Sequence, residues 1–421
     1  MVSIKNITAL EILDSRGNPT VEVTLYLSDG QKVVASVPSG ISVGKYEALE
    51  LRDKDPARYN GMGVLQAIRN VNEVIAPKLV NLDPVRQGSI DKLLIELDGT
   101  PNKSRLGSNA ILAVSLAVCR AGAAAVNLPL YKYISELINA NLPKTIDKMP
   151  TPTFNIINGG KHGTGNLDFQ EFHVVPASNK RYHEALRIGE EVYQKLKQVL
   201  TSRNAIHSVG DEGGFTPNLY TNTDALELMM EAIHMTRYRF GIEIFLGLDL
   251  AASNFKSGEN YHIKDQATSM NTLEFIEYLA NIHRDYRLLI LEDPLSEDDW
   301  QGWKTITERL GKEVLLVGDD FLATNPDRLQ KAISEKACSA ILVKPNQIGS
   351  VSETLAVIKM ARTGGLKIIV SHRSGETNDA FVADLAVGVS ADYVKFGAPA
   401  RGERVAKYNR LIHIESELKL I

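Results

Sequence analysis

Cysteine is almost absent from this chain. Cys119 and Cys338 are the only two in 421 residues, and neither belongs to a C-x-x-C pair. That excludes a disulfide framework and a zinc site built from thiolates alone, and makes a reducing compartment the simplest setting. A basic surplus is missing too. Lys and Arg number 47 against 51 Asp and Glu, a net charge of −4. The footprint of a nucleic-acid binder is therefore lacking, although a local basic pocket for a small anion stays open. Long apolar runs are also scarce. Glu11, Asp14 and Arg16 interrupt the N-terminus, so it does not read as a secretory signal. The most apolar window, 110–126, is broken by Arg120 and reads as a buried helix rather than a membrane span. The expectation is a cytoplasmic protein with no membrane and no nucleic-acid partner.

What is present is an ordinary globular composition, 44% apolar and 23% charged. Its length predicts two or three domains. Residues 20–27 (TVEVTLYL) alternate polar and apolar as a half-buried strand does. Asp29-Gly30 marks a hairpin turn, and 31–37 is the return strand. A Gly-rich loop, PSGISVG at 38–44, follows, and helical patterns run over 63–75, 89–97 and beyond Asn109. Strands followed by helices predict an α+β domain over 1–140. A proline-punctuated stretch begins near 141, and the grammar then changes over 141–421. Short apolar strands alternate with helices: 153–158, 169–175, 206–210, 244–250, 287–293, 314–320, 340–346, 367–372 and 393–397. Continuous apolar runs are strands buried on both faces, and this many strand–helix units predict an α/β, TIM-like barrel.

The strand ends carry the chemistry. They place Glu212, Asp249, Glu292, Asp319, Lys344, His372 and Lys395 at the C-terminal face, where barrel enzymes build their sites. Asp249, Glu292 and Asp319 offer hard oxygen ligands, which favour Mg²⁺ or Mn²⁺. A cation beside Lys344 would depress that lysine's pKa and suit it to be a general base; its alternative is a salt bridge to Asp319. His372, Arg373 and Ser374 offer a cationic fork and a hydroxyl fit for a phosphate. The loop at 38–44 could close over the site.

Long ordered motifs accompany these residues: DSRGNPTVEV (14–23), LGSNAILAVSLAVCRA (106–121), GDEGGFTPN (210–218), GLDLAAS (247–253), LEDPLSEDDW (291–300), VGDDFLATNP (317–326), KPNQIGS (344–350), SHRSGET (371–377) and KFGAPARGERVAKYN (395–409). With them the chain resembles the enolases along nearly its whole length. The resemblance implies a small N-terminal α+β domain and a C-terminal barrel whose second strand runs antiparallel. It implies Mg²⁺-dependent interconversion of 2-phosphoglycerate and phosphoenolpyruvate in glycolysis and gluconeogenesis. Lys344 matches the base that takes the C2 proton, and Glu212 matches the acid that helps the C3 hydroxyl leave. Crowding by carboxylates is expected to keep Glu212 protonated. Glu171 matches the partner of that acid, with Gln170 beside it. Asp249, Glu292 and Asp319 match the ligands of a first, conformational Mg²⁺; Ser42 matches the loop ligand of a second, which arrives with substrate. Arg373 and Ser374 match the phosphate grip, His162 and His372 the site histidines, and Lys395 the lysine pairing with the substrate carboxylate. A homodimer is implied, and some relatives assemble dimers into octamers.

The chain departs from the usual family pattern at Ile41 and Val43, at Gly163 in the loop around His162, and at Pro345. The first pair is expected to alter lid closure rather than abolish activity. Two rivals are a mandelate racemase-like or cycloisomerase member of the same superfamily, and a non-catalytic binding protein. SHRSGET, GDEGG and the serine loop speak against the first. Retention of Lys344 and Glu212 speaks against the second.

Overall fold

The structure is a computed structural model that describes residues 2–40, 44–139, 146–163 and 166–420. Ser42, Ile41, Val43 and the expected boundary at 140/141 lie outside the described residues. The N-terminal domain is a three-stranded antiparallel sheet, β1 (Ile4–Leu13), β2 (Pro19–Leu27) and β3 (Lys32–Ser36), in that order. The β2–β3 hairpin turns at Gly30, whose φ of +92° is open to glycine without strain. The Leu27 amide closes the turn on the Gln31 carbonyl at 2.8 Å. β1 was not legible as a strand. Its inward residues Ile4, Ile7 and Ala9 are buried, but Leu10 and Leu13 are exposed, which breaks the alternation. The apolar window becomes the helix Ser108–Ala125, 83% of it buried. Its apolar residues meet sheet and neighbouring helices, so it is a core helix.

The second domain closes eight strands into a barrel: β4 (Thr151–Asn158), β5 (Glu171–Pro176), β6 (Ile244–Asp249), β9 (Leu288–Glu292), β10 (Leu315–Gly318), β11 (Ala340–Val343), β12 (Lys367–Ser371) and β13 (Tyr393–Lys395). A short hairpin, β7 (Lys256–Ser257) and β8 (Asn260–Tyr261), lies outside the ring. β13 pairs with β4 to close the circle. β5 is antiparallel to both of its neighbours, as the resemblance implied. The run at 206–210 is not a barrel strand. Ile206 and Val209 are exposed, and only an isolated bridge, Val209 to Phe215, forms there. Isolated apolar residues in a polar loop had imitated a strand.

Alternation along the strands builds the cup. Val175, Ile290, Val317, Leu342 and Ile369 plug the barrel interior. Side chains two residues apart share a face of a strand. One step beyond the plug therefore come His173, Glu292, Asp319, Lys344 and Ser371, and Tyr393 is followed in the same way by Lys395. Because β5 runs backwards, its first residue, Glu171, arrives at the same rim where the other strands end.

The helix Tyr182–Ser202 packs directly on β4. A Cβ on Gly189 would lie 2.3 Å from the Phe154 ring. Gly189→Ala is expected to destabilise the protein by about 1–3 kcal/mol through overpacking, read as a lower midpoint in chemical denaturation.

Candidate active site

A narrow cleft opens over the barrel rim. It is lined by His162, Gln170, Glu171, Glu212, Asp249, Asp319, Lys344, His372, Arg373, Ser374 and Lys395, together with Glu47, Asp293 and Asp320. Thus every expected site residue among those described faces this cleft except Glu292, which sits just beneath it. The carboxylates fall into three groups.

The first group surrounds Lys395. Its Nζ lies 2.9 Å from Glu171 Oε2, 3.0 Å from Asp249 Oδ2 and 2.7 Å from Glu292 Oε1. Burial would lower the Lys395 pKa, but Asp249, Glu171 and Glu292 outweigh it and hold the ammonium well above its ordinary value. One lysine does not neutralise so many buried acids. Burial and the Asp249 carboxylate push Glu292 well up, against the pull of Lys395. Gln170 Nε2 donates to Asp249 Oδ2 at 3.2 Å.

The second group is Asp319 with Lys344. Lys344 Nζ bonds Asp319 Oδ2 at 2.5 Å, and Gln347 Nε2 donates to Oδ1 at 3.1 Å. The salt bridge weighed as the alternative for Lys344 is therefore formed. The depression expected beside a cation concerns the loaded site; with Asp319 as the partner the balance is different. Burial does pull it down, but Asp319 more than offsets that, and the net shift is upward. Asp293 spends both oxygens on the backbone amides of Asp319 and Asp320, at 2.9 and 2.7 Å. It props the end of β10 rather than presenting a free ligand. Burial and Asp319 push neighbouring Asp320 up to about 7.

The third group centres on Glu212, which no strand carries. Its loop is laid on β4 by reciprocal bonds, Phe215 amide to Ile156 carbonyl and Asn158 amide to Phe215 carbonyl, each 2.8 Å. Glu212 accepts from Ser374 Oγ at 2.9 Å and Asn155 Nδ2 at 3.1 Å, and His372 Nε2 lies 3.2 Å away. His162 Nδ1 lies 3.0 Å from Glu171 and 3.6 Å from Glu212. Burial and Glu171 push the Glu212 carboxyl up, as expected from crowding. The two histidines and the hydrogen-bond donors win, and the net direction is down. The net shift is therefore opposite to the one that crowding alone would give. Crowding was legible in the sequence; the number of donors was not.

Arg373 forks onto Glu47, at 2.8 Å from Nη1 to Oε2, and also reaches Asn346. Glu47 also accepts from the Gly44 amide at 3.0 Å, which ties that residue to the arginine. Sequence reasoning also missed Arg404 and His173. Arg404 is wholly buried and donates to His372 Nδ1 at 2.8 Å and to the carbonyls of Arg373, Ser374 and Asp211. A donor at Nδ1 leaves the proton on Nε2, so His372 presents an N–H to Glu212. Burial, with Arg404 adding to it, lowers the His372 pKa against the pull of Glu212. The signal was available. Arg404, Lys407, Tyr408, Leu411 and Ile414 recur on one buried helical face of Gly402–Glu417, where a charge is out of place unless it is used.

The cleft also offers oxygen donors of the kind a metal takes. Asp249, Glu292 and Asp319 are 1–6% exposed, and all their donors are oxygen. The strong upward push on Glu292 marks an excess of buried negative charge, which a divalent cation would relieve. No thiolate competes, so the donor set suits a hard ion. Among the described residues, the groups whose side chains converge closely enough to hold one ion are Asp293, Asp319 and Asp320, and His162, Glu171 and Glu212; the expected trio shares only Asp319 with them.

A closed α/β barrel with an acidic, lysine-bridged cup and a small α+β cap defines a barrel enzyme of carboxylate and cation chemistry. Residues 4–134 match the description "Enolase, N-terminal domain", and 146–420 match "Enolase, C-terminal TIM barrel domain". The chain belongs to the enolase family and is a lyase of that type; the family is metal-dependent.

Proposed function

We propose that this enzyme is a phosphopyruvate hydratase, interconverting 2-phosphoglycerate and phosphoenolpyruvate in glycolysis and gluconeogenesis. The observation that carries the reading is the separation of a base and an acid in one cleft. Lys344 stands with Asp319, and Glu212 stands apart with His162, His372 and Ser374.

Neutral Lys344 Nζ takes the C2 proton, and the C–H pair moves into the substrate carboxylate. The C3 hydroxyl then leaves as water with a proton from Glu212, and the C2–C3 double bond forms. Glu171 and His162 adjoin Glu212 and hold its proton balance; Gln170 and His372 orient the substrate. Arg373 and Ser374 grip the phosphate, and Lys395 faces the substrate carboxylate. Asp249, Glu292 and Asp319 would hold one Mg²⁺ and Ser42 a second, supplying positive charge where the enediolate develops. The Lys344–Asp319 bond matters here. Lys344 must lose its proton to act, and sharing Asp319 with a cation weakens the hold on that proton.

The proposal extends to a soluble cytoplasmic homodimer, with an octamer as the larger alternative.

The test is absorbance of phosphoenolpyruvate formed from 2-phosphoglycerate. Product is expected with Mg²⁺ and is lost with excess chelator. Absence of Mg²⁺-dependent product sinks the reading.

A further inference from the structure

His173 has no part in the steps above, yet it touches the carboxylate at the middle of the cup. On β5 it follows Glu171 by two residues, so both side chains face the barrel interior. It is 1% exposed. Its Nε2 lies 2.7 Å from Glu171 Oε2, while Nδ1 is buried with no hydrogen-bond partner. A ring nitrogen that close to a carboxylate oxygen carries the proton, so the ring is a one-sided donor. Room for it comes from the opposite strand. Gly247 pairs with His173 on β6, and a Cβ there would already stand 3.4 Å from that of His173.

The bond bears on how Glu171 is aimed. Oε2 receives both His173 and Lys395, the latter at 2.9 Å. Oε1 is thereby left for His162, at 3.0 Å. His162 Nε2 in turn lies 3.2 Å from Ser374 Oγ, the hydroxyl that donates to Glu212. A polar ring placed between the acidic cup and the apolar plug, with one nitrogen left unpaired, is a costly filler. Its single bond is the feature that an apolar side chain of similar size would lack.

We propose that His173 is a positioning residue that holds Glu171 from beneath through Nε2–H, so that Oε1 faces His162 and the acid side of the cleft. The inference rests on the dehydration reading of the same site. It places His173 on the leaving-group half of the reaction and not on the C2-proton half, because its chain of contacts leads to Glu212 and not to Lys344.

His173→Leu and His173→Gln separate orientation from filling, since Gln can offer an Nε2 donor and Leu cannot. Dehydration kcat is expected to fall about tenfold to hundredfold in the Leu variant, the size of loss that follows a small misplacement. KM should change little, because His173 does not reach the cleft. Exchange of the C2 proton with solvent should be largely spared, and His173→Gln should recover most of kcat. Equal behaviour of the two variants, or equal loss of exchange and dehydration, overturns the role. A measurement on the unaltered enzyme covers the case in which the Leu variant fails to fold. The ¹⁵N spectrum, with the His173 signal assigned by its loss in His173→Gln, should show a protonated Nε2 and a bare Nδ1. A protonated Nδ1 overturns the proposal. A wild type that makes no phosphoenolpyruvate overturns the parent reading instead, and the tautomer still reports on the contact with Glu171.

Discussion

Lys344→Ala should abolish exchange of the C2 proton, lowering its rate by at least about 10³. A positioned general base contributes roughly 10²–10⁴, and no second lysine can substitute. The other lysine of the cup, Lys395, is fully engaged by Glu171, Asp249 and Glu292 and is held well above its ordinary pKa. KM should change far less than kcat, because the proposed phosphate and carboxylate contacts belong to other residues. The measurement is loss of deuterium from C2-labelled 2-phosphoglycerate, followed beside product formation. Exchange that survives the substitution would assign the base elsewhere. The variant also has a structural signature. Asp319 loses its buried cation but keeps Gln347 at 3.1 Å, so the apo protein should be less stable than wild type, and added Mg²⁺ should narrow the gap.

Glu212→Gln should split the reaction. The amide keeps the shape of the side chain and can still accept from Ser374, but it has no proton to give. Dehydration should fall by about 10²–10⁴, while C2 exchange is spared or falls much less. The contacts explain the asymmetry: Glu212 is tied to Ser374, Asn155 and His372, and none of these touches Lys344. If Lys344→Ala and Glu212→Gln lose exchange equally, base and acid are not separate groups. The contacts in the structure hold the Glu212 carboxyl down, so a bound substrate must change its surroundings before it can act as an acid. Ser374 and the neighbouring Arg373 are the groups that a phosphate would draw away. Arg373, now forked onto Glu47, would exchange one anion for another.

The sequence was most legible where periodicity and burial coincide. The barrel strands are short apolar runs buried on both faces, and that pattern exposed them together with the residues at their ends. It failed at 206–210, where Ile206 and Val209 are apolar but exposed. Glu212 nevertheless reaches the cup, carried by a loop hydrogen-bonded to β4 rather than by a strand end. β1 escaped because its apolar residues do not all face one way. Among site residues, the carboxylates and lysines were legible as types at strand ends. Their pairing was not, since a partner chosen across the barrel leaves no mark on local spacing. The bond between Lys344 and Asp319 could be weighed in advance but not decided. Arg404 and His173 left weaker signs, a charge on a buried helical face and a polar residue two places beyond Glu171.

The closing strand gives this cup a birth order. Lys395 lies on β13, the last strand of the barrel to leave the ribosome, and its ammonium joins acids carried by β5, β6 and β9. A nascent chain lacking that strand holds those carboxylates with no lysine among them, so mutual repulsion opposes premature closure. Contacts between β13 and β4 span more than half of the chain and carry the slow kinetics of distant pairing. The N-terminal sheet, built from adjacent strands, can form well before them. Completion of the ring and assembly of the cup are then one event, and a truncated product released before Lys395 lacks the cation that joins its carboxylates.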